Sequence, residues 1–489
     1  MEILNFRLRK LSCIVLIILV GSILSACSQS QVGKVIVDNE PKEDRQKDYI
    51  EEVPTQTVTN EKSVDLAPLY DQVRNLKGQE ALDFFESLKS KGLSDSDILE
   101  FFINLPFSDA NKEITDIYKN EKFETYMSTY PTGKPFGNYK WTNGDGTKIK
   151  GAFSELDLKL PFSNYVALKS GPVGDSNKKY RIGVAIHGFD QPWNVSLADA
   201  AQWEAERHPN VEVDVKDAQW DNDRMADIID SFVLQKVDGI LTWPMVESET
   251  TIAPVKRAIE AGIPVVSVDR MTGLEETTSR VTGNFPANGA QCGMYLIWKL
   301  AKEGSLNANV VLLRKPSGST ADANRTGHFL KVLSYFPDIH ILKSYHDDDN
   351  TAEALANMQL ALNEYPSIDV VFGTGDHEAI AAYDASKNAN RLNSRKDAKK
   401  MMFLSIDDSK KAITSVKDGL FEVNTPYTPL ISDIGMRTLL NIITKNGSMP
   451  HDIITPNIPM VTKDGDTIFG LKTQTPDQWY EYTFGAPIK

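Results

Sequence analysis

Residues 262–270 read Gly262-Ile263-Pro264-Val265-Val266-Ser267-Val268-Asp269-Arg270. A short β-prone run bounded by glycine and proline predicts a buried strand. It ends on two opposite charges, at the strand end where open α/β sheets bind ligands. The flanking sequence repeats the unit. Arg181–Ile186 is apolar, Val211, Val213 and Val215 alternate, and Gly239–Trp243 is another apolar run. Helical periodicity falls between them, over 196–207, 224–234 and 250–260. Beyond Arg270 the rhythm returns. Strands are expected at 310–313, 339–342, 370–372, 402–406 and 421–423, with helices at 323–333, 351–363, 380–387 and 412–416. Alternation at this spacing implies right-handed βαβ crossovers and parallel sheets. About 300 residues of it exceed one hydrophobic core, so two sheet systems are expected.

The whole chain has 489 residues, 41% hydrophobic and 25% charged, a globular composition. Its formal net charge is −14, and no broad cationic surface is legible, so nucleic acid is excluded as a partner. Cysteine occurs at 13, 27 and 292 alone, which excludes a disulfide framework and a cysteine metal site. Cys292 reads as a small buried hydrophobe.

The N-terminus carries Arg7, Arg9 and Lys10, then the apolar run Leu11–Leu24, then Ser25-Ala26-Cys27. That order is the architecture of an export signal, and the run is short for a stable membrane span. Leu24-Ser25-Ala26-Cys27 resembles the bacterial lipoprotein processing box, which implies cleavage after residue 26 and lipid on Cys27. Residues 27–62 are polar and read as a flexible lipid-attached tether. Residues 63–175 form a mainly helical N-terminal extension. Leu76, Ala81, Phe84, Phe85 and Leu88 make one stripe; Ile98, Phe101, Phe102 and Leu105 make a second. Ser94 and Asp97 have box-like spacing at the second helix start. Ile114, Ile117 and Tyr118 suggest a third helix. These stripes serve either a separate module or packing on the main body.

Gln191-Pro192-Trp193, the Gly239 strand, the segment from Gly262 to Asp269-Arg270, and Gly375-Asp376 occur in an order that resembles the periplasmic-binding-protein type I superfamily. The similarity covers about residues 179–475 and is strongest toward the ribose/galactose-type sugar receptors of ABC transport. It implies a two-lobed α/β fold with parallel sheets and a three-crossing hinge. The first lobe would be 179–284 plus 428–458, the second 285–427 plus 459–489.

The same resemblance implies the binding residues. Gln191 and Asn194 would hydrogen-bond ligand, and Trp193 would stack on an apolar sugar face or cap the helix–sheet junction. Asp269 would accept from vicinal hydroxyls and Arg270 would donate to oxygens, their mutual pairing being the competing role. Arg325 would reach in from the second lobe, with Asp322 as a helix cap. Asp407 would bind from the hinge side, with Asp408 its competitor, and Tyr427 lies in the hinge loop. The chain departs from the pattern at Asn194, at Asp348, which stands where ribose receptors have an aromatic ring, and at Gly375, where many members have asparagine. Asp376, His377 or the backbone would replace that asparagine contact. These departures imply a ligand larger or more polar than a simple pentose.

No catalytic constellation is legible: His187, Asp190, Asp269 and His377 stand near expected loops without an order that joins them. The seven histidines have no metal-ligand spacing, and Asp347-Asp348-Asp349 reads as a solvated loop. The expectation is therefore a non-enzymatic, cofactor-free, extracytoplasmic receptor held to the bacterial membrane by lipidated Cys27. Its ligand would be a sugar or polyol, and its partner an ABC permease or, as the alternative, a membrane sensor kinase or chemoreceptor.

Overall fold

The computed structural model describes residues 64–127, 130, 148–150, 152–153, 157–159, 166, 168–189, 191–244, 249–270, 277–395, 398–447, 449–455, 457–479 and 483–484. The export signal, Cys27, the tether and Asp190 lie outside the described residues. Among those described, no helix is long and apolar enough to cross a membrane.

A small antiparallel hairpin, β1 (Lys148–Lys150) and β2 (Asp157–Lys159), precedes the main body. Then come β3 (Tyr180–Ile186), β4 (Val211–Asp217), β5 (Gly239–Trp243), β6 (Val265–Val268) and β7 (Ser279–Thr282). They are followed by β8 (Ala308–Arg314), β9 (Ile339–His346), β10 (Val370–Gly373), β11 (Met402–Ile406), β12 (Val423–Thr425), β13 (Asp452–Ile454) and β14 (Val461–Thr462). One six-stranded sheet has the order β13-β7-β6-β5-β3-β4 and is parallel throughout. The other has the order β14-β12-β11-β10-β8-β9 and is parallel except for β14. The fold is thus two α/β lobes. The chain passes between the sheets after β7, after β12 and between β13 and β14. The sequence does not announce the short strands β7, β13 and β14, because, unlike the equally short β6, they contain no continuous apolar run bounded by turn residues.

Local chemistry explains the element boundaries. β5 and β6 are buried at every residue, as central parallel strands must be, whereas edge strand β4 alternates toward solvent. Asp221, Asn284, Ser319, Asn350 and Ser409 each cap a following helix by accepting a backbone N–H. Each such cap contributes about 1 kcal/mol. The first helix of the second lobe, Phe285–Lys302, crosses Thr320–Leu333 so closely that a Cβ on Gly289 would stand 2.0 Å from the Arg325 carbonyl oxygen. Cys292 is buried in the first of these helices, and burial pushes its thiol up to about 12.

The extension holds helices Ala67–Val73, Gln79–Ser87, Asp95–Ile103, Lys112–Asn120 and Phe123–Met127. Ser94 and Asp97 form a reciprocal capping box. Of the two uses open to the apolar stripes, the structure takes packing on the main body. Phe85 lies against Tyr335, Phe336 and Phe469 of the second lobe, with ring centroids 5.8, 6.3 and 5.9 Å away. Burying a phenylalanine contributes about 1.5–3 kcal/mol. The Asn111 amide donates to the carbonyls of Phe336 and Ile339, both at 2.8 Å. Farther on, the Tyr130 hydroxyl hydrogen-bonds Thr282 at 2.9 Å, at the first inter-lobe crossing. The Phe153 N–H donates to Asp199 of the first lobe at 2.6 Å. The extension therefore touches both lobes and the hinge.

Candidate functional site

The carboxyl ends of strands from both sheets converge on one polar cleft. β3 leads to Gln191, Trp193 and Asn194 at the start of helix Pro192–Glu206, and β6 leads to Asp269 and Arg270. From the second lobe, β8 leads to Lys315, β9 to Asp349, β10 to Asp376 and His377, and β11 to Asp407. Arg325 enters from helix Thr320–Leu333. Together with His187 and Ala321 these residues line a cavity of about 40 Å³. Asp269, Asp349 and Asp407 all have left-handed backbone, with φ of 65°, 56° and 76°. Three such non-glycine residues at strand ends are conformational strain concentrated in the cleft.

Most of the charges are already matched. Arg270 donates to the Asp349 carboxylate at 2.5 Å, an ion pair that joins the lobes. The Gln191 side chain makes a second inter-lobe bond, to the Asp349 carbonyl. The Lys315 ammonium lies 3.1 Å from Asp349, 3.7 Å from Glu378 and 3.9 Å from Asp407. Arg325 donates to Asp407 at 2.7 Å and to the Thr374 carbonyl at 2.7 Å. Its guanidinium stacks over Phe285 and Tyr427, 4.9 Å from each ring. Behind Asp269, the Tyr427 hydroxyl donates to its carboxylate at 2.8 Å.

The titration of these groups follows from that pairing. Burial works to raise Asp349, but Arg270 and Lys315 outweigh it and hold the carboxyl well below the usual range. Burial raises Asp269, only partly offset by Arg270 and the Tyr427 hydrogen bond. Burial and the neighbouring Asp407 charge raise Asp376. Burial lowers His187 to about 3, which leaves it neutral, with Nδ1 2.9 Å from the Trp243 carbonyl oxygen. Burial also opposes charge on His377, yet Glu378 and Asp347 hold it up at about 9.

Asp347, Asp349, His377 and Glu378 bring ligand-type atoms within 4.8 Å of one another, an arrangement able to hold a metal ion. In this structure the cluster already contains cations of its own. Lys315 lies beside Asp349 and Glu378, and the His377 ring lies 3.1 Å from Glu378 and 3.6 Å from Asp347.

The sequence profile of the periplasmic binding protein domain matches residues 182–446, more than half of the chain. The chain belongs to the periplasmic binding protein family. Among curated members, the ribose import binding protein of Bacillus subtilis is 27% identical over 259 residues, covering 53% of this chain and 80% of that protein. The xylitol-binding protein of Mycolicibacterium smegmatis is 25% identical over 299 residues, covering 61% and 81%. Among solved structures, the fructose-binding periplasmic domain of a hybrid two-component system superposes with a TM-score of 0.53 at 26% identity, covering 58% of this chain and 91% of that one. The extension before residue 182 lies outside the family match.

Nine of the candidate contacts named from sequence line the cavity: Gln191, Trp193, Asn194, Asp269, Arg270, Arg325, Asp376, His377 and Asp407. Asp348 does not. It is exposed, and Asp349 takes the inward position. The reason is a bulge: Val310 pairs with Ile341 but Val311 with Lys343, so β9 carries an extra residue at Leu342 and the facing positions slip by one. Tyr427 also stands behind the cavity, supporting Asp269 and stacking on Trp193 with centroids 5.9 Å apart. Asp408 points away, its carboxylate accepting from the Trp479 indole at 3.2 Å. Asp322 is not the helix cap, a role Ser319 fills; it pairs with Arg314 at 2.6 Å.

The Asp347–Asp349 loop is not simply solvated, since Asp347 and Asp349 are buried. Lys315 was missed in the sequence, although it follows its strand as Asp269 and Asp407 follow theirs. Its place explains Gly375. A Cβ there would stand 2.8 Å from the Lys315 nitrogen and 2.6 Å from Glu378, so lysine fills the space a side chain at 375 would need.

Proposed function

We propose that this chain is an extracytoplasmic solute-binding lipoprotein, anchored through Cys27, that captures a sugar or related polyol between its lobes and delivers it to an ABC transporter. The observation that carries this reading is the convergence of strand ends from both lobes on one cleft with acceptors and donors suited to hydroxyl groups. Asp269 and Asp376 accept, and the buried Asn194 amide nitrogen has no hydrogen-bond partner among the described residues, leaving it to donate. Trp193 supplies an apolar ring face. The names of the ribose import, xylitol-binding and fructose-binding proteins support the same ligand class.

Lobe movement is part of the reading. Arg270 and Gln191 of the first lobe both bond Asp349 of the second, so the lobes are bridged across the cleft in this arrangement. Ligand must enter with Arg270 and Asp349 apart, and closure then restores the inter-lobe pair around it. Nothing in the proposed role calls for catalysis or a resident cofactor.

Intrinsic tryptophan fluorescence and calorimetry with a panel of hexoses, pentoses and polyols test the proposal. Saturable binding of a panel member at micromolar Kd or tighter, weakened at least tenfold in Asp269→Asn, is the expected result. Binding of amino acids or peptides in preference to every sugar and polyol would overturn it.

A second reading, a ligand sensor for a membrane kinase or chemoreceptor, draws support from the extension. Tyr130 at the first crossing links a large additional surface to hinge movement. The similarity to the periplasmic domain of a two-component system points the same way. Copurification from membranes lacking the permease separates the two: a sensor keeps its partner there, a transport receptor does not.

A further inference from the structure

The cleft contains more negative charge than its own cations neutralise. Asp269, Asp347, Asp349, Asp376, Asp407 and Glu378 are opposed by Arg270, Lys315, Arg325 and His377. The distribution of this excess is uneven. Both arginines are engaged by carboxylates of the protein itself, Arg270 by Asp349 and Arg325 by Asp407. Lys315 is shared among Asp349, Glu378 and Asp407. His377 lies between Asp347 and Glu378. An anionic ligand would find every one of these cations already paired.

Asp376 is the complement of that pattern. It lines the cavity, is 7% exposed, and accepts a hydrogen bond from the Ser409 backbone N–H at 3.0 Å. Among the described residues no cation comes within ion-pair distance of it. Asp269, on the opposite lobe, has the Tyr427 hydroxyl and a long contact of 3.9 Å to Arg270. Both carboxyls are buried with little cationic compensation, and a buried charge is costly unless it is paired. A ligand hydroxyl would satisfy their hydrogen bonding but not their charge. An ammonium group in the same position does both, and charge-assisted hydrogen bonds are roughly twice as strong as neutral ones.

We infer that the ligand carries an ammonium group, as an unacetylated amino sugar or amino-polyol whose nitrogen is received by Asp376, with Asp269 as the second carboxylate. This rests on the receptor reading above and narrows its ligand class. It also accounts for the polar second wall. Lys315 is held by three other carboxylates, which leaves Asp376 for the ligand.

The test is calorimetric titration near pH 7 with D-glucosamine, D-galactosamine, D-mannosamine and 1-amino-1-deoxy-sorbitol, each beside its neutral parent and, for the hexosamines, its N-acetyl derivative. At least one amine should bind tenfold or more tighter than its neutral parent and its N-acetyl form. In Asp376→Asn, which keeps an oxygen for the Ser409 N–H, that amine-to-neutral preference should fall at least tenfold. Asp269→Asn supplies an independent variant with the same expected direction. Neutral sugars that bind as tightly as every amine would overturn the inference and leave the receptor reading intact. So would a preference that survives both substitutions, or sugar binding that appears only with added Ca²⁺ or Mn²⁺. Binding of no panel member, amine or neutral, would overturn both.

Discussion

Two of the buried charge groups in this protein are made of the same residue types and differ in what they face. In the first lobe, behind the cleft, Arg437 joins Glu204 at 2.9 Å and Asp433 at 2.7 Å. Glu204 also holds Arg207 at 2.7 Å and His208 at 3.2 Å. The side chains of Arg437, Glu204 and Asp433 are all fully buried, so these charges tie helix Ser432–Ile443 to helix Pro192–Glu206 and do not line the cleft. The cleft group is just as buried, yet its members converge on open space and leave Asp269 and Asp376 weakly compensated. Buried charge therefore does not by itself mark a binding site. The distinguishing features are a cavity and a carboxylate whose partner must come from outside.

The largest effect is expected in the structural group. Arg437→Ala strands the buried Asp433 carboxylate and takes one of Glu204's cations, and breaking such a pair costs about 3–5 kcal/mol. Urea unfolding should show that loss, with ligand affinity unchanged in the fraction that stays folded. A comparable loss of affinity at full stability would erase the distinction between the groups.

Asp269→Asn should behave in the opposite way. Truncating a buried, hydrogen-bonded charge in a ligand cleft costs about 2–5 kcal/mol of affinity, while the unfolding midpoint should barely move. Calorimetry paired with thermal unfolding checks both halves of that expectation.

His377 tests whether the cleft group also contributes to stability. Its pKa is raised in the folded protein from 6.5 to about 9. Its contribution is therefore full below about pH 6.5 and lost as pH rises through about 9. A stability decline of about 1–3 kcal/mol across that window is expected, on the scale of 1.4 kcal/mol for each pKa unit. Urea midpoints measured from pH 6 to 9.5 should show the decline in the native chain and a flatter profile in His377→Gln.

The smallest effect belongs to the hinge. Tyr130→Phe removes the hydroxyl that meets Thr282 and the Gly283 carbonyl but keeps the ring against Phe285. A net hydrogen bond contributes about 0.5–1.5 kcal/mol. Stability should fall within that range, and a change in ligand affinity as well would tie the extension to lobe movement.

The parts of the site that could be read in advance share a physical basis. Asp269, Arg270 and Asp407 directly follow apolar strands, and strand ends are legible from a run of residues and its punctuation. Asn194 and Trp193 begin a helix that directly follows the first such strand. Lys315 has the same position and was passed over because a single lysine in a polar loop carries no pattern. Asp349 could not be chosen over Asp348 without knowing that β9 bulges at Leu342, since the bulge exists only in the pairing with β8. The extension was legible as helices but not as a covering of the second lobe, because an apolar stripe specifies burial without specifying the surface that provides it.

The strand at 265–268, with Asp269 and Arg270 after it, illustrates the division. Sequence by itself determined the parallel α/β alternation, the two sheet systems and the strand-end charges, because periodicity and turn chemistry act over neighbouring residues. Tertiary structure alone decided that Arg270 would reach across to Asp349, that Tyr427 would support Asp269 from behind, and that Asp376 would have no cation of its own. Those outcomes depend on distances between residues more than 30 positions apart in the chain, and charge compensation is set by such distances in a low-dielectric interior, not by order along the chain.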